Sequence, residues 1–222
     1  IYKAAYECAR TYSYGGGIGV DISVLRPKDS VVHNAADSST GSVSFMEIYS
    51  LTTGLIGQSG RRGALMLTMD VKHPDSPLFI NVKKIPNWVT NQIVEQCRWS
   101  GQFNETQLRE IQRQIRENTQ VRFANISLKI SDEFMQAVKD NKEFLQQWPI
   151  DSLTPSITKT VQARELWNTI VSCAYATAEP GLMFWDKHHR YSTSSVYPKF
   201  RNICSNPCAE IVCGPNDSCR LI

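Results

Sequence analysis

The sequence predicts an α/β fold. Stretches with helical spacing of apolar residues alternate with short apolar runs of strand length, and glycine- or proline-rich turns separate them. With 222 residues, 41% of them hydrophobic and 20% charged, the chain can bury a core of ordinary domain size.

The elements follow in order. Ala4, Ala5, Cys8, Ala9 and Tyr12 share one helical face, and Gly15-Gly16-Gly17 stops that helix. Ile18 to Ser23 reads as a short strand, Leu25 to Gly41 as a polar loop, and Val43 to Ile56 as a return to helical spacing. A second glycine-basic turn, Gly57 to Gly63, leads into a buried strand from Ala64 to Val71 that stops before His73-Pro74-Asp75. Ile85 to Arg122 is polar and mostly helical, so residues 85–119 are expected to be a helical elaboration between core elements. Ala124 to Ile130 alternates like a strand, and Ser131-Asp132-Glu133 caps a helix carrying Phe134, Val138 and Phe144. From Thr160, the residues Ala163, Leu166, Trp167, Ile170, Val171, Ala174 and Tyr175 keep an amphipathic rhythm that Pro180-Gly181 closes. Leu182 to Trp185 then predicts a buried strand, and a polar crossing through His188-His189-Arg190 leads to a cysteine-rich end.

Charge argues against nucleic acid as a partner, because 24 basic and 21 acidic residues are interspersed without a basic stripe. No run approaches the roughly 18 apolar residues of a membrane span, and no targeting segment is visible, so the reading is cytoplasmic. The chain opens at Ile1 without a methionine, inside a helical pattern, and is expected to be a fragment.

Of seven cysteines, Cys8, Cys97 and Cys173 sit singly in helical contexts, where a free thiol behaves as a small hydrophobe. Cys204, Cys208, Cys213 and Cys219 crowd into sixteen residues, which in a cytosolic chain points to redox chemistry or metal binding. A zinc or iron–sulfur module would use paired knuckles, whereas the gaps here are three, four and five residues. Asn206-Pro207-Cys208-Ala209-Glu210 sets an amide, a thiol and a carboxylate at alternate positions, so an extended backbone would point all three one way. The bland alternative is an Asn-Pro turn beside a buried cysteine. No metal is assigned, because His73 and the pair His188-His189 have no second cluster at ligand spacing.

Asn206-Pro207-Cys208-Ala209-Glu210-Ile211, with Asn216-Asp217-Ser218-Cys219 after it, resembles the finger loop of ribonucleotide reductases. The resemblance extends to Tyr14-Gly15-Gly16-Gly17-Ile18-Gly19-Val20-Asp21, Leu25-Arg26-Pro27-Lys28, Ser42 to Met46, Gly57 to Ala64, His73-Pro74-Asp75 and Ala124 to Ser127. It implies part of a ten-stranded α/β-barrel with a central finger loop. It puts the thiyl radical on Cys208, a proton-accepting role on Glu210 and ribose contacts on Asn206. Cys219, eleven residues after Cys208, matches one member of the reducing cysteine pair; the other would lie before Ile1. Gly16 and Gly17 are expected near the substrate through backbone, and Gln58, Ser59, Gly60, Arg61 and Arg62 match an effector-responsive specificity loop.

The wording of Tyr14 to Lys28 and Gly54 to Met69 is most similar to the adenosylcobalamin-dependent branch, with the dimetal-subunit branch as alternative. The implied partners are a ribonucleotide substrate, a nucleotide effector, a thioredoxin- or glutaredoxin-type reductant and a second copy of the chain. A noncatalytic nucleotide-binding protein is the other class, but no Gly-x4-Gly-Lys-Ser/Thr loop exists and the glycines do not match a dinucleotide fingerprint.

Overall fold

Four parallel strands form the frame on which everything else is hung. The computed structural model describes residues 1–33, 36–58 and 61–217. Helix α1 (Tyr2–Ser13) buries Ala5, Cys8 and Tyr12, residues three and four apart, and ends where Gly15 turns the chain at φ 81° into strand β1 (Gly17–Asp21). A long loop, a single 3₁₀ turn and α2 (Met46–Leu55) follow, then the small hairpin β2 (Gly57–Gln58) and β3 (Arg61–Arg62), and then β4 (Ala64–Asp70). The crossing to β5 (Asn125–Ile130) carries α3 (Ser76–Asn81), α4 (Asn87–Trp99) and α5 (Glu105–Glu117). Asn104 and Gln107 cap α5 reciprocally, side chain to backbone in both directions.

After β5, α6 (Asp132–Asp140) starts on the expected Ser131 cap, whose hydroxyl accepts the Phe134 N–H. Asn141 in the left-handed region ends it, so Phe144 falls on a strand and not on the helix that sequence spacing suggested. That strand, β6 (Glu143–Trp148), pairs antiparallel with β7 (Ile157–Gln162), a hairpin the sequence reading lacks. Helix α7 consequently starts at Ala163, not near Thr160, and buries Ala163, Leu166, Ile170 and Cys173. The last frame strand, β8 (Gly181–Phe184), passes directly into α8 (Trp185–Tyr191), so Trp185 and the His188-His189 pair sit on a helix. Two 3₁₀ turns lead to the antiparallel pair β9 (Cys204–Ser205) and β10 (Val212–Cys213).

The frame order is β1-β4-β5-β8, and every neighbour runs parallel, as helical crossovers require. Strand pleating then gives the sheet two unlike faces. Leu65, Leu67 and Met69 of β4 and Ile126, Leu128 and Ile130 of β5 join one core cluster with residues of α1, α2, α3 and α7, and Ile18 and Val20 of β1 pack against it. Each fully buried side chain among them contributes roughly 1.5–3 kcal/mol by leaving water. The other face presents Gly17, Gly19 and Asp21, then Met66, Thr68 and Asp70, then Asn125, Ser127 and Lys129. Among the described residues no helix is long and apolar enough to cross a membrane.

Candidate active site on the finger hairpin

The polar face of the sheet holds the β9–β10 hairpin. Ser205 pairs with Val212 and Cys204 with Cys213. The Asn206 N–H donates to the Ile211 carbonyl at 3.0 Å, and the Ala209 N–H donates to the Asn206 carbonyl at 3.0 Å. The side chain of Asn206 completes the turn: its Oδ1 accepts the Ile211 N–H at 3.1 Å and the Ser205 hydroxyl at 3.3 Å. Ala209 occupies the left-handed region at φ 68°.

The tip is therefore a tight turn, and the extended backbone that would align Asn206, Cys208 and Glu210 is absent from it. Asn206 is buried inside the turn, whereas Cys208 and Glu210 stand exposed at its end. A thiol and a carboxylate are presented outward by a backbone locked from within.

Glycines let the hairpin approach. A Cβ on Gly19 would lie 1.8 Å from the Ser205 carbonyl oxygen and 2.9 Å from Cys204 Sγ, and one on Gly17 would lie 2.6 Å from Pro207 Cγ. Any side chain at these two positions collides with the finger. Gly16 has another reason to be glycine, since its missing Cβ would meet Thr11 Cγ2 at 2.6 Å at the end of α1.

Beneath the hairpin lies a charged group that sequence reasoning missed. Lys129 Nζ reaches Asp21 Oδ2 at 2.7 Å, with side-chain exposures of only 4% and 13%, and sits 4.8 Å from the centre of the Trp185 ring. Asp21 Oδ1 also accepts the Ser23 hydroxyl at 2.7 Å and the Thr68 hydroxyl at 3.3 Å. Thr68 Oγ1 stands 3.4 Å from Cys204 Sγ. Burial pushes the Cys204 thiol up to about 11, so it stays protonated at neutral pH. Burial likewise raises Asp70 to about 6 against the opposing pull of Lys129. A lysine alternating with apolar residues in Ala124 to Ile130 was the available signal, but its partner is 108 positions away.

Other predicted residues fall elsewhere. Gln58 pairs with Arg61 and Gly57 with Arg62 in the β2–β3 hairpin; Ser59 and Gly60 lie outside the described residues. Gly63, at the foot of that hairpin, lies against the Tyr12 ring, where a Cβ would come within 2.7 Å. The Tyr12 hydroxyl in turn accepts from Thr53 at 3.0 Å. Cys219 also lies outside the described residues.

Three family-like segments meet in one knot. The Asp75 carboxylate accepts the Lys28 N–H at 3.0 Å and both the N–H and hydroxyl of Ser42 at 2.9 and 2.7 Å. His73 Nδ1 accepts the Asp75 N–H, which leaves Nε2 to donate to the Leu25 carbonyl at 2.9 Å; burial lowers the affinity of this ring for a second proton. Among the described residues, no three His, Cys, Asp or Glu side chains are grouped to hold a metal ion.

A sequence model of the ribonucleotide reductase barrel domain matches residues 1–221. The chain belongs to the ribonucleotide reductase family. As a reductase barrel segment, its parallel α/β sheet is part of an α/β-barrel. The vitamin B12-dependent ribonucleoside-diphosphate reductase of Thermoplasma acidophilum is 31% identical over 222 residues, which are all of this chain and 24% of that protein. The vitamin B12-dependent ribonucleotide reductase of Rhodopirellula baltica is 28% identical over 100% of the chain and 20% of its own length. The ribonucleoside-diphosphate reductase of Mycobacterium tuberculosis, also named vitamin B12-dependent, is 28% identical over 100% of the chain and 27% of its own length. The chain thus spans about a quarter of the length of these reductases.

Proposed function

We propose that this reductase segment carries the radical cysteine, Cys208, of a catalytic subunit that reduces ribonucleoside diphosphates to deoxyribonucleotides for DNA synthesis. The observation that carries the reading is the finger itself: Cys208 and Glu210 are exposed at the end of a hairpin whose root is fixed to a glycine-lined sheet face. Cys208 as a thiyl removes the hydrogen from the 3′ carbon of the ribose, and Glu210 accepts the proton of the 3′ hydroxyl. The Asn206 amide, already braced on Ile211, is the hydrogen-bonding partner of the ribose hydroxyls. Loss of the 2′ oxygen as water is balanced by oxidation of two thiols to a disulfide. Cys219 supplies one thiol, a cysteine upstream of residue 1 supplies the other, and a thioredoxin- or glutaredoxin-type dithiol restores both. Gly16 and Gly17 are the backbone approach to the substrate in this reading, and Gly17 also gives clearance to Pro207 beside the tip.

Adenosylcobalamin is the cofactor this reading implies, and when bound it supplies the radical that Cys208 carries. An exposed Cys208 thiol at the end of the finger fits the close approach such a large group needs. The segment Gln58, Ser59, Gly60, Arg61 and Arg62 is the specificity loop, responding to a nucleotide effector at an interface between two copies of the chain. Its foot, Gly63, rests on Tyr12 and through it on Thr53, so α1 and α2 would feel its movement.

The test is turnover of ribonucleotides by the complete reading frame with a dithiol reductant, with and without adenosylcobalamin. Activity that requires the cofactor supports the reading. Recovery only with a radical-generating dimetal subunit would move the protein to the other branch, and no deoxyribonucleotide under either condition would overturn it.

A further inference from the structure

Two side chains of one strand grip the finger at both ends. Asn125, at the start of β5, donates from Nδ2 to the Pro207 carbonyl at 2.9 Å, which is the peptide leading into Cys208. Lys129, four residues further along the same face, reaches the Ile203 carbonyl at 3.5 Å while ion-paired to Asp21. The spacing matches on both partners: side chains at 125 and 129 meet carbonyls at 207 and 203, so the rising arm of the finger runs antiparallel to β5.

We propose that Asn125 and Lys129 are positioning residues that set the register of the finger against the barrel wall, and with it the direction in which Cys208 points. Backbone pairing cannot do this, because β5 already spends its N–H and carbonyl groups on β4 and β8. The hairpin's own ladder is only two residue pairs long and fixes β9 to β10, not to the sheet. Since the extended arm Cys204–Ser205 turns its side chains to opposite faces at every step, a slip of one residue would turn the arm over and carry the tip, with Cys208, away from its place. Two side-chain contacts four residues apart, about 13 Å of strand, prevent both slip and tilt. Gly17 and Gly19 supply the clearance, and Asn125 and Lys129 supply the alignment.

The kinetic consequence rests on the reading of Cys208 as the radical residue, but the alignment itself does not, so the experiment has two readouts. In the complete reading frame, Asn125→Ala, Lys129→Met and Lys129→Arg are compared by backbone hydrogen exchange and by steady-state kinetics. Asn125 is exposed, so its replacement leaves the core packing alone. Faster exchange in peptides covering 203–213, with β4 and β5 amides unchanged, is the expected result for Asn125→Ala and Lys129→Met. A fall in kcat of about tenfold with substrate KM within about twofold, equivalent to about 1.4 kcal/mol, is expected beside it. Lys129→Arg retains the cation and is expected to restore both. Unchanged exchange in the finger, or a loss of protection spread through the core strands, would overturn the proposal. Turnover that survives Cys208→Ser would instead overturn the reductase assignment of the finger while leaving the exchange result standing.

Discussion

The two faces of the β1-β4-β5-β8 sheet are made by the same strands and do unlike work. Val20 packs toward the helices, while its neighbour Gly19 gives way to the finger; Leu128 is core, while its neighbour Lys129 is a charge held dry beneath the hairpin. One face is chosen for volume and apolarity, the other for clearance and specific polar contact. Adjacent residues should consequently fail in different ways, stability on one face and placement of Cys208 on the other.

The sharpest break comes at Gly19. Its β-strand backbone accepts alanine, yet the added carbon would stand 1.8 Å from the Ser205 oxygen, so the hairpin must retreat by more than 1 Å. Gly19→Ala is expected to lower turnover by about 100-fold, the scale on which a displacement of that size acts, with unfolding midpoint little changed. Kinetics and urea unfolding on the same preparation check this. Next in size, Leu128→Ala on the packed face removes a fully buried side chain and should cost about 3 kcal/mol in urea unfolding, while the molecules that remain folded keep their kcat.

A smaller effect comes from one charged group on the finger face, Asp70. Burial holds Asp70 near 6, above its ordinary 3.8, so between those values the folded protein binds more protons than the unfolded chain. Stability therefore falls as pH rises from about 4 to 6, and the loss is complete above that window. Asp70→Asn should flatten the profile and raise stability at pH 7 by something on the order of 1–3 kcal/mol. A profile unchanged from pH 4 to 7 would show that Asp70 titrates normally.

How much of this was legible depended on whether a residue's partner is near in sequence. The strands β1, β4 and β5 show in their apolar runs, and Ser131 announces its helix, because capping is local. The cysteine segment identified the candidate site by residue type and order. Its shape was not legible: alternate spacing of Asn206, Cys208 and Glu210 suggested an extended chain, but the Asn206 side chain folds the backbone back on Ile211. The β6–β7 hairpin escaped notice because Gln146 looks like a surface residue, whereas it is buried and donates to Val71 and Ser76, some seventy positions earlier. Lys129 likewise resembles a solvated strand residue until Asp21, on the edge strand beyond β4, is brought beside it.

The most direct test sets two thiols of the same hairpin against each other: ribonucleotide turnover by the complete reading frame carrying Cys208→Ser or, separately, Cys204→Ser. Cys208 is exposed at the tip, and Cys204 is buried against Thr68 with its thiol held protonated. The account predicts that Cys208→Ser abolishes turnover while the protein stays folded, and that Cys204→Ser keeps most of it. Turnover retained without the Cys208 thiol, or lost only with that of Cys204, would contradict it.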